Sequence, residues 1–441
     1  MERKDVSVNC HSTRDGKECD TFLSPCSEKN RVWTAILELR SYYLIQVMVA
    51  EERRAVRVGM VGGGPGAGIT ETHRMAMRLD DRYVLMAGVF SQNREKSLAA
   101  ARRLRISENR VYPDYVAMAA AESKREDWIE VVGIVTQTDS HCEIAKRFLE
   151  AGIHVICDKP LYLLVAEAKE LNALAENGGL ILCLTHNYSG YAVVRHAARM
   201  VRNGDLGQIR VVQAEHASGW AAKLLERGEH PQAAWRSDPS LLGASVLYDL
   251  GTHVHPLARF ITGLEVTEVV AELSQIISGR VIKDNANLLL WFSNGARGTL
   301  WASMAAVGNE HGLRIRVYGD RGSLAWRHED PHHLRYCSID GPPQILARAD
   351  WLSPDACRWT RVGLGPPEGF FEAFANLYTA VADALLAKAE GQSYAKSELG
   401  FPDVSDGVNL RRGLCGSCHA FLRGRRCLDR DRNQLRQRLK G

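Results

Sequence analysis

The feature that most constrains this chain is a rhythm that starts at Val56. The short apolar run Val56–Val61 passes into Gly62-Gly63-Gly64-Pro65-Gly66-Ala67-Gly68 and then into a helical pattern, Thr70–Leu79. Further short apolar runs follow at Tyr83–Phe90, Val131–Val135, His154–Cys157 and Leu180–Leu184, with helical patterns at Glu95–Leu104, Ser140–Ala151 and Val165–Asn177 between them. Alternation of this kind predicts an α/β domain, a doubly wound parallel sheet with helices on both faces. Near Asn187 the rhythm changes. After a helix at Tyr191–Arg202, longer strand-like runs occupy Ile209–His216, Glu265–Ile277, Ala286–Phe292, Arg297–Ala302 and Leu313–Tyr318. Ser293-Asn294-Gly295 is a hairpin signal, and Gly319-Asp320-Arg321-Gly322 makes a second connection. These runs predict a C-terminal α/β domain with a large, mainly antiparallel open sheet and a helix at Glu368–Ala389 near its end.

A length of 441 residues suits two domains. The expected boundaries are 1–54, an atypical and poorly ordered extension; 55–186, the parallel-sheet domain; 187–408, the mainly antiparallel α/β domain; and 409–441, a basic tail. The net charge of +4 hints at a polyanionic partner. However, Arg411–Gly441 alone holds ten Lys/Arg and two Asp/Glu, and the rest of the chain is net −4. The basicity belongs to the tail, and no nucleic acid is expected. Six of the eleven cysteines also lie at the two ends. The five between them, Cys142, Cys157, Cys183, Cys337 and Cys357, read as buried small hydrophobes of a reducing compartment. No stretch approaches the roughly 20 apolar residues that cross a bilayer, since Trp33–Ala50 is broken by Glu38 and Arg40. A cytoplasmic protein with no membrane partner is the expectation. Met48, just before the first strand, is a candidate for the true start, and the tail suggests a shifted reading frame or a divergent end. Within that tail Cys415-Gly416-Ser417-Cys418-His419 matches the haem-attachment spacing, here read as coincidence.

Glycines between a first strand and a helix let the backbone approach a pyrophosphate, which the free N–H groups and dipole of the helix N-terminus attract. Gly62 and Gly64 fall on the first two positions of a dinucleotide fingerprint, with Gly66 and Ala67 completing the turn. A flexible loop is the plainer alternative. The second strand ends Ser91-Gln92-Asn93-Arg94, with no carboxylate for ribose hydroxyls. Ser91 and Arg94 therefore lean from NAD toward NADP, although Arg94 equally suits a solvated helix start.

Two further clusters carry chemistry. Cys157-Asp158-Lys159-Pro160 ends a strand on the edge where such sheets bind ligands. In Tyr248-Asp249-Leu250-Gly251-Thr252-His253, a helix would put Asp249 and His253 on one face. Taken singly, each has a structural reading: an exposed lysine, a helix N-cap, and a histidine bonded to backbone.

At these residues the chain resembles the Gfo/Idh/MocA family of NAD(P)-dependent oxidoreductases, over about residues 55 to 408. Asp158-Lys159-Pro160 stands where the family usually has Glu-Lys-Pro. The resemblance implies a Rossmann domain followed by an open-sheet domain, and hydride transfer between nicotinamide and a hydroxyl or ketone carbon of a sugar, inositol or related polyol. It also implies a homo-oligomer, dimer or tetramer, and no metal. It places Lys159 beside the nicotinamide and substrate hydroxyl, where its charge would stabilise a developing alkoxide. His253 would be the general base, with Asp249 orienting it or holding a sugar hydroxyl. By position, Thr136 and His141 would join Asp158 in the cofactor site or merely cap the next helix; Tyr188 would line the substrate site or a domain interface, and Arg236 would hold a substrate group or be an ordinary surface arginine. His73 resembles a recurring family histidine. The alternative is a catalytically silent NAD(P)-binding sensor on the same scaffold.

Overall fold

The computed structural model describes residues 54–64, 68–161, 165–225, 246–348, 352–363, 365–392 and 400–404. Five strands, β1 (Val56–Gly62), β2 (Tyr83–Val89), β3 (Val131–Val135), β4 (His154–Cys157) and β5 (Leu182–Leu184), form one parallel sheet in the order β2-β1-β3-β4-β5. Every residue of β3 and β4 is buried, as continuous apolar runs covered on both faces require. The sheet's helices are α1 (Gly68–Leu79), α2 (Arg94–Leu104), α3 (Tyr115–Glu122), α4 (His141–Glu150) and α5 (Val165–Gly178). Asn93 caps α2, its Oδ1 accepting the Lys96 N–H at 3.0 Å, and Asp114 caps α3 by accepting the Ala117 N–H at 2.7 Å. Helix α3 is not foreshadowed by the apolar pattern. Its alanine-rich sequence lacks a polar stripe and signals a helix only through propensity.

Because β2 and β3 flank β1 on opposite sides, the connections diverge at its C-terminal end and open a crevice there. Gly62, the last residue of β1, lies in register with Val135, the last of β3.

The second sheet follows α6 (Ala192–Asn203). Its strands are β6 (Ile209–Ala217), β7 (Val266–Ser274), β8 (Asn285–Phe292), β9 (Arg297–Ser303), β10 (Gly312–Gly319), β11 (Gly322–Arg327), β12 (His333–Ser338) and β13 (Gln344–Ala347). They pair in the order β13-β12-β11-β10-β6-β9-β8-β7, antiparallel except for β6 with β9. The strand expected to reach Ile277 stops at Ser274. Beyond it the Ile276 and Ile277 N–H groups donate to the Asp284 carboxylate, at 2.7 and 3.0 Å, instead of to a ladder. Helices α6 and α7 (Thr252–Thr262) contribute Val194, Ala197, Val254, Leu257 and Ile261 to the core on one face of this sheet.

Two helices follow the second sheet, α8 (Pro354–Cys357), a single turn, and α9 (Phe370–Ala389), of 20 residues. Although α9 follows the second sheet in sequence, its Phe374, Tyr378, Val381 and Leu385 share a core with Val56, Met60 and Met77 of the first. Burying each such side chain is worth about 1.5–3 kcal/mol. The Tyr83 hydroxyl donates to the Tyr378 carbonyl at 2.7 Å, and Arg82 pairs with Asp383 at 2.7 Å. Asp403 also bridges to Cys183 on the edge strand β5.

The expectation that no stretch approaches bilayer-spanning length has one exception among the described residues. Helix α9 is long and apolar enough by length and composition alone, and its apolarity is that of a core helix, since most of it is buried. Of the five central cysteines, all free, Cys157 and Cys183 are buried; Cys142, Cys337 and Cys357 are only half-buried, contrary to the expectation for all five.

Candidate active site

The glycine turn fits a nucleotide because nothing larger than glycine fits the turn. Gly62 has φ of +97°, and a Cβ there would lie 2.8 Å from the carbonyl carbon and oxygen of Val135. A Cβ on Gly64 would lie 2.9 Å from the Phe90 carbonyl oxygen. The backbone therefore presses against the ends of β2 and β3, at positions where only glycine is accommodated. Arg74 is buried and donates to the Gly63 carbonyl and, at 2.9 Å, to Glu71 Oε1. Arg103 reaches the same oxygen at 2.6 Å. Glycine patterns do not point to this clamp, because its arginine lies a turn into the helix. Gly66 and Ala67 lie outside the described residues. At the end of β2, Ser91 Oγ accepts the Asn93 N–H at 3.1 Å, and Arg94 is exposed at the first position of α2.

Strand β4 delivers Asp158 and Lys159 to the same edge. Asp158 is buried; its Oδ1 accepts the Thr185 hydroxyl at 2.9 Å and lies 3.5 Å from His73 Nε2. Burial pushes this carboxyl up, but the His73 imidazole, with Lys159 and His141, outweighs it and holds it well below the usual carboxylate range. On its other side, His73 Nδ1 lies 2.8 Å from the Tyr378 hydroxyl on α9. The Asp158 carboxylate is thus engaged by the protein itself.

Lys159 turns the other way. Its Nζ donates to the Asp249 carbonyl at 3.2 Å and to Asp249 Oδ1 at 3.3 Å, across 90 residues of sequence. The helix expected around Asp249 is a π-helical turn, Leu247–Gly251, that runs into α7. Such turns insert one residue into a helix and recur at functional sites. Here the wider turn presents both the carbonyl and the carboxylate of Asp249 to Lys159.

His253, in the first turn of α7, is buried, and its Nδ1 has no hydrogen-bond partner among the described residues. Burial, reinforced by the Lys159 charge, holds its pKa well below the usual imidazole value, so the ring is neutral at pH 7. The Tyr188 ring meets it edge-on with centroids 5.0 Å apart. His216 on β6 stands 5.5 Å from His253 and 4.8 Å from His311, which is 4.7 Å from His328. The Tyr188 hydroxyl is hydrogen-bonded to His311 Nε2. Burial also lowers His216, to about 3, and His328, to about 4. The wall facing Lys159 and Asp249 is therefore made of neutral imidazoles.

A model of the oxidoreductase family with an NAD-binding Rossmann fold matches residues 56–186, and one of the GFO/IDH/MocA C-terminal domain matches residues 194–325. The chain belongs to the Gfo/Idh/MocA family. It is 36% identical over 362 residues to the uncharacterized oxidoreductase YfiI of Bacillus subtilis (strain 168), covering 80% of this chain and 92% of that one. Among solved structures, an oxidoreductase from Sinorhizobium meliloti matches with a TM-score of 0.75 at 39% identity, over 84% of this chain and 98% of that one. An inositol dehydrogenase homolog from Azotobacter vinelandii, complexed with NAD+, matches with a TM-score of 0.79 at 33% identity, over 85% and 97%. The same homolog complexed with NADH and myo-inositol matches at 32% identity with a TM-score of 0.75, over 83% and 96%.

As a Gfo/Idh/MocA oxidoreductase the chain is an NAD(P)-dependent dehydrogenase or reductase acting on CH–OH groups. The remaining expected residues fall into place around this centre to different degrees. Tyr188 is brought against His253. Thr136 follows β3, with its Oγ1 accepting the Ser140 hydroxyl at 2.8 Å. His141 is buried, and both of its ring nitrogens face backbone carbonyls: Nδ1 that of Pro160 at 2.8 Å, and Nε2 that of Thr136 at 3.1 Å. Arg236 lies outside the described residues. Sequence reading passed over His216, His311 and His328. They come from β6 and from the ends of β10 and β11, and only the pairing of those strands brings them together.

Proposed function

We propose that this Gfo/Idh/MocA oxidoreductase moves hydride between nicotinamide and a hydroxyl or ketone carbon of an inositol, sugar or related polyol. The observation that carries the reading is the approach of Lys159 to Asp249 beside a neutral, buried His253. The glycine turn and the start of α1 would hold the pyrophosphate, and Ser91 with Arg94 the adenosine ribose. The nicotinamide, when bound, supplies the hydride acceptor. Lys159 would donate to the reacting oxygen and offset its charge as an alkoxide develops. A neutral His253 would take the hydroxyl proton, which a protonated ring could not do. Asp249 would hold Lys159 Nζ in place and pair with its charge. A wall of neutral imidazoles beside Tyr188 supports an uncharged, hydroxyl-rich substrate, since each ring both donates and accepts. The A. vinelandii homolog with NADH and myo-inositol supports the same class.

The absence of a carboxylate at 91–94 supports use of NADP. Exposed Val211, Val270, Leu289 and Tyr318 on the second-sheet strands support assembly into a dimer or tetramer. The deciding experiment follows nicotinamide absorbance with NAD or NADP against a panel of inositols and sugars, repeated with Lys159→Ala and His253→Ala. Turnover by the wild type and loss in both variants is expected. Cofactor binding without turnover across the panel would point instead to a sensor. Arg94→Gln should raise KM for NADP about tenfold and leave NAD unaffected, the scale of one lost charged hydrogen bond.

A further inference from the structure

The role of His141 is set by what its two ring nitrogens face. The side chain is buried, at 1% exposure, at the start of α4. Nδ1 lies 2.8 Å from the Pro160 carbonyl oxygen, the residue after Lys159. Nε2 lies 3.1 Å from the carbonyl oxygen of Thr136, the residue after β3. A carbonyl oxygen only accepts, and a neutral imidazole has a single N–H. In either neutral tautomer one ring lone pair would point at a carbonyl lone pair, at a distance too short for a water to separate them. Only the ring with both nitrogens protonated satisfies both contacts.

We propose that His141 is a positioning residue for Lys159: a doubly donating imidazolium that ties the end of β3 to the segment carrying Lys159. The helix N-terminus opposes a cation there. Against it stand two charge-assisted hydrogen bonds and the Asp158 carboxylate, whose pKa the His141 charge helps to lower. Around Asp158 the other charged or titratable groups are Lys159 itself, His73, which lies across the carboxylate, His186, Cys157 and Tyr378. The consequence falls on geometry. Thr136 follows the strand that borders the nucleotide crevice, and Lys159 Nζ reaches Asp249. Fastening the two segments fixes the distance between the crevice and the ammonium group, and a misplacement of about 1 Å at such a centre costs about a hundredfold in rate.

This inference rests on the reading of Lys159 as a reaction-centre residue, and its test separates the two. Histidine-selective 15N NMR of the full chain without cofactor, assigned with His141→Gln, reads the protonation of both nitrogens independently of turnover. Both nitrogens protonated at pH 7 is the expected pattern, and a single neutral tautomer would overturn the proposal whatever the enzyme's activity. Kinetics supply the second arm, on the fastest polyol of the panel. His141→Leu should lower kcat about 10- to 100-fold with KM for the nicotinamide cofactor changed less than about threefold. His141→Gln, which keeps donor capacity, should recover much of the loss. Unchanged kcat in the leucine variant, or equal losses in both variants, would sink the positioning role. A wild type that turns over nothing would count against the reading of Lys159 and leave the NMR result to decide His141.

Discussion

Acid should unfold this protein through its buried histidines, and the size of the effect follows from their surroundings. Burial pushes His154 and His186 down to about 4, and His216 and His255 to about 3. Charge adds to burial in each case: Lys388 beside His154, Lys159 beside His186, His311 beside His216 and Arg259 beside His255. His154 shows the cause most plainly, since its Nδ1 accepts the Ile181 N–H at 2.8 Å and cannot do so when protonated. At pH 7.5 these rings are neutral in both folded and unfolded chains and contribute nothing to the pH dependence. As pH falls below about 6.5 the unfolded chain takes up protons that the folded one refuses, so stability drops until the folded values are reached near 4. At pH 5.5 the loss is about 1.4 kcal/mol per ring, or about 5–6 kcal/mol for the four. That rivals the whole stability of an ordinary domain. Urea unfolding followed by tryptophan fluorescence at pH 7.5, 6.5 and 5.5 reads the slope directly. His255→Leu isolates one contributor, because neither nitrogen of His255 has a hydrogen-bond partner among the described residues. It should cut the slope at pH 5.5 by about 1.2 kcal/mol per pH unit, or about 0.9 proton. A wild-type slope below about one proton, or an unchanged slope in His255→Leu, would refute the claim that these rings stay neutral.

Three further outcomes follow from the site. With His253 active when neutral and its pKa held well below the usual value, kcat/KM should show no acid limb near pH 6.5 and stay flat from pH 6.2 to 7.5; a limb centred at about 6.5 would put the proton acceptor elsewhere. Lys159→Met and His253→Ala should each lower kcat by about 10²–10⁴ while cofactor binding, read by quenching of protein fluorescence, persists. Gly62→Ala should abolish cofactor binding and lower the melting temperature, because φ of +97° and a Cβ 2.8 Å from the Val135 carbonyl cannot both be accommodated; ordinary cofactor affinity in that variant would contradict the cradle.

The fold was readable from sequence wherever local pattern and burial agree. Strands β3 and β4 are apolar throughout because helices cover both faces, and their limits at Val131–Val135 and His154–Cys157 coincide with the apolar runs. Strands β11, β12 and β13 escaped because they approach an edge of an open sheet, where Arg335 and Gln344 are exposed and the apolar runs are short. The destination of α9 was hidden for a different reason. Its periodicity gives a helix but not an address, and only the contacts of His73 and Tyr83 with Tyr378 place it on the first sheet.

The meeting of Lys159 and Asp249 was readable only through the motifs, and even there the local reasoning needed revision. A spacing of four predicts Asp249 and His253 on one face of an α-helix, but Asp249 sits in a π-turn and His253 in the α-helix beyond it. The turn directs Asp249 to Lys159, so the charge partner of the lysine comes from the helix that also carries the histidine. Any movement of α7 relative to β4 would therefore disturb the charge pairing and the proton acceptor together. The histidines around them carry no sequence spacing at all, since their proximity is a product of strand register: Leu313, two residues after His311, pairs with His216, and its carbonyl accepts the His328 N–H at 2.9 Å. Register is set by the whole sheet. A histidine wall built this way can vary by single substitutions at strand ends while the Lys159–Asp249 pair, anchored by a different set of contacts, stays where it is.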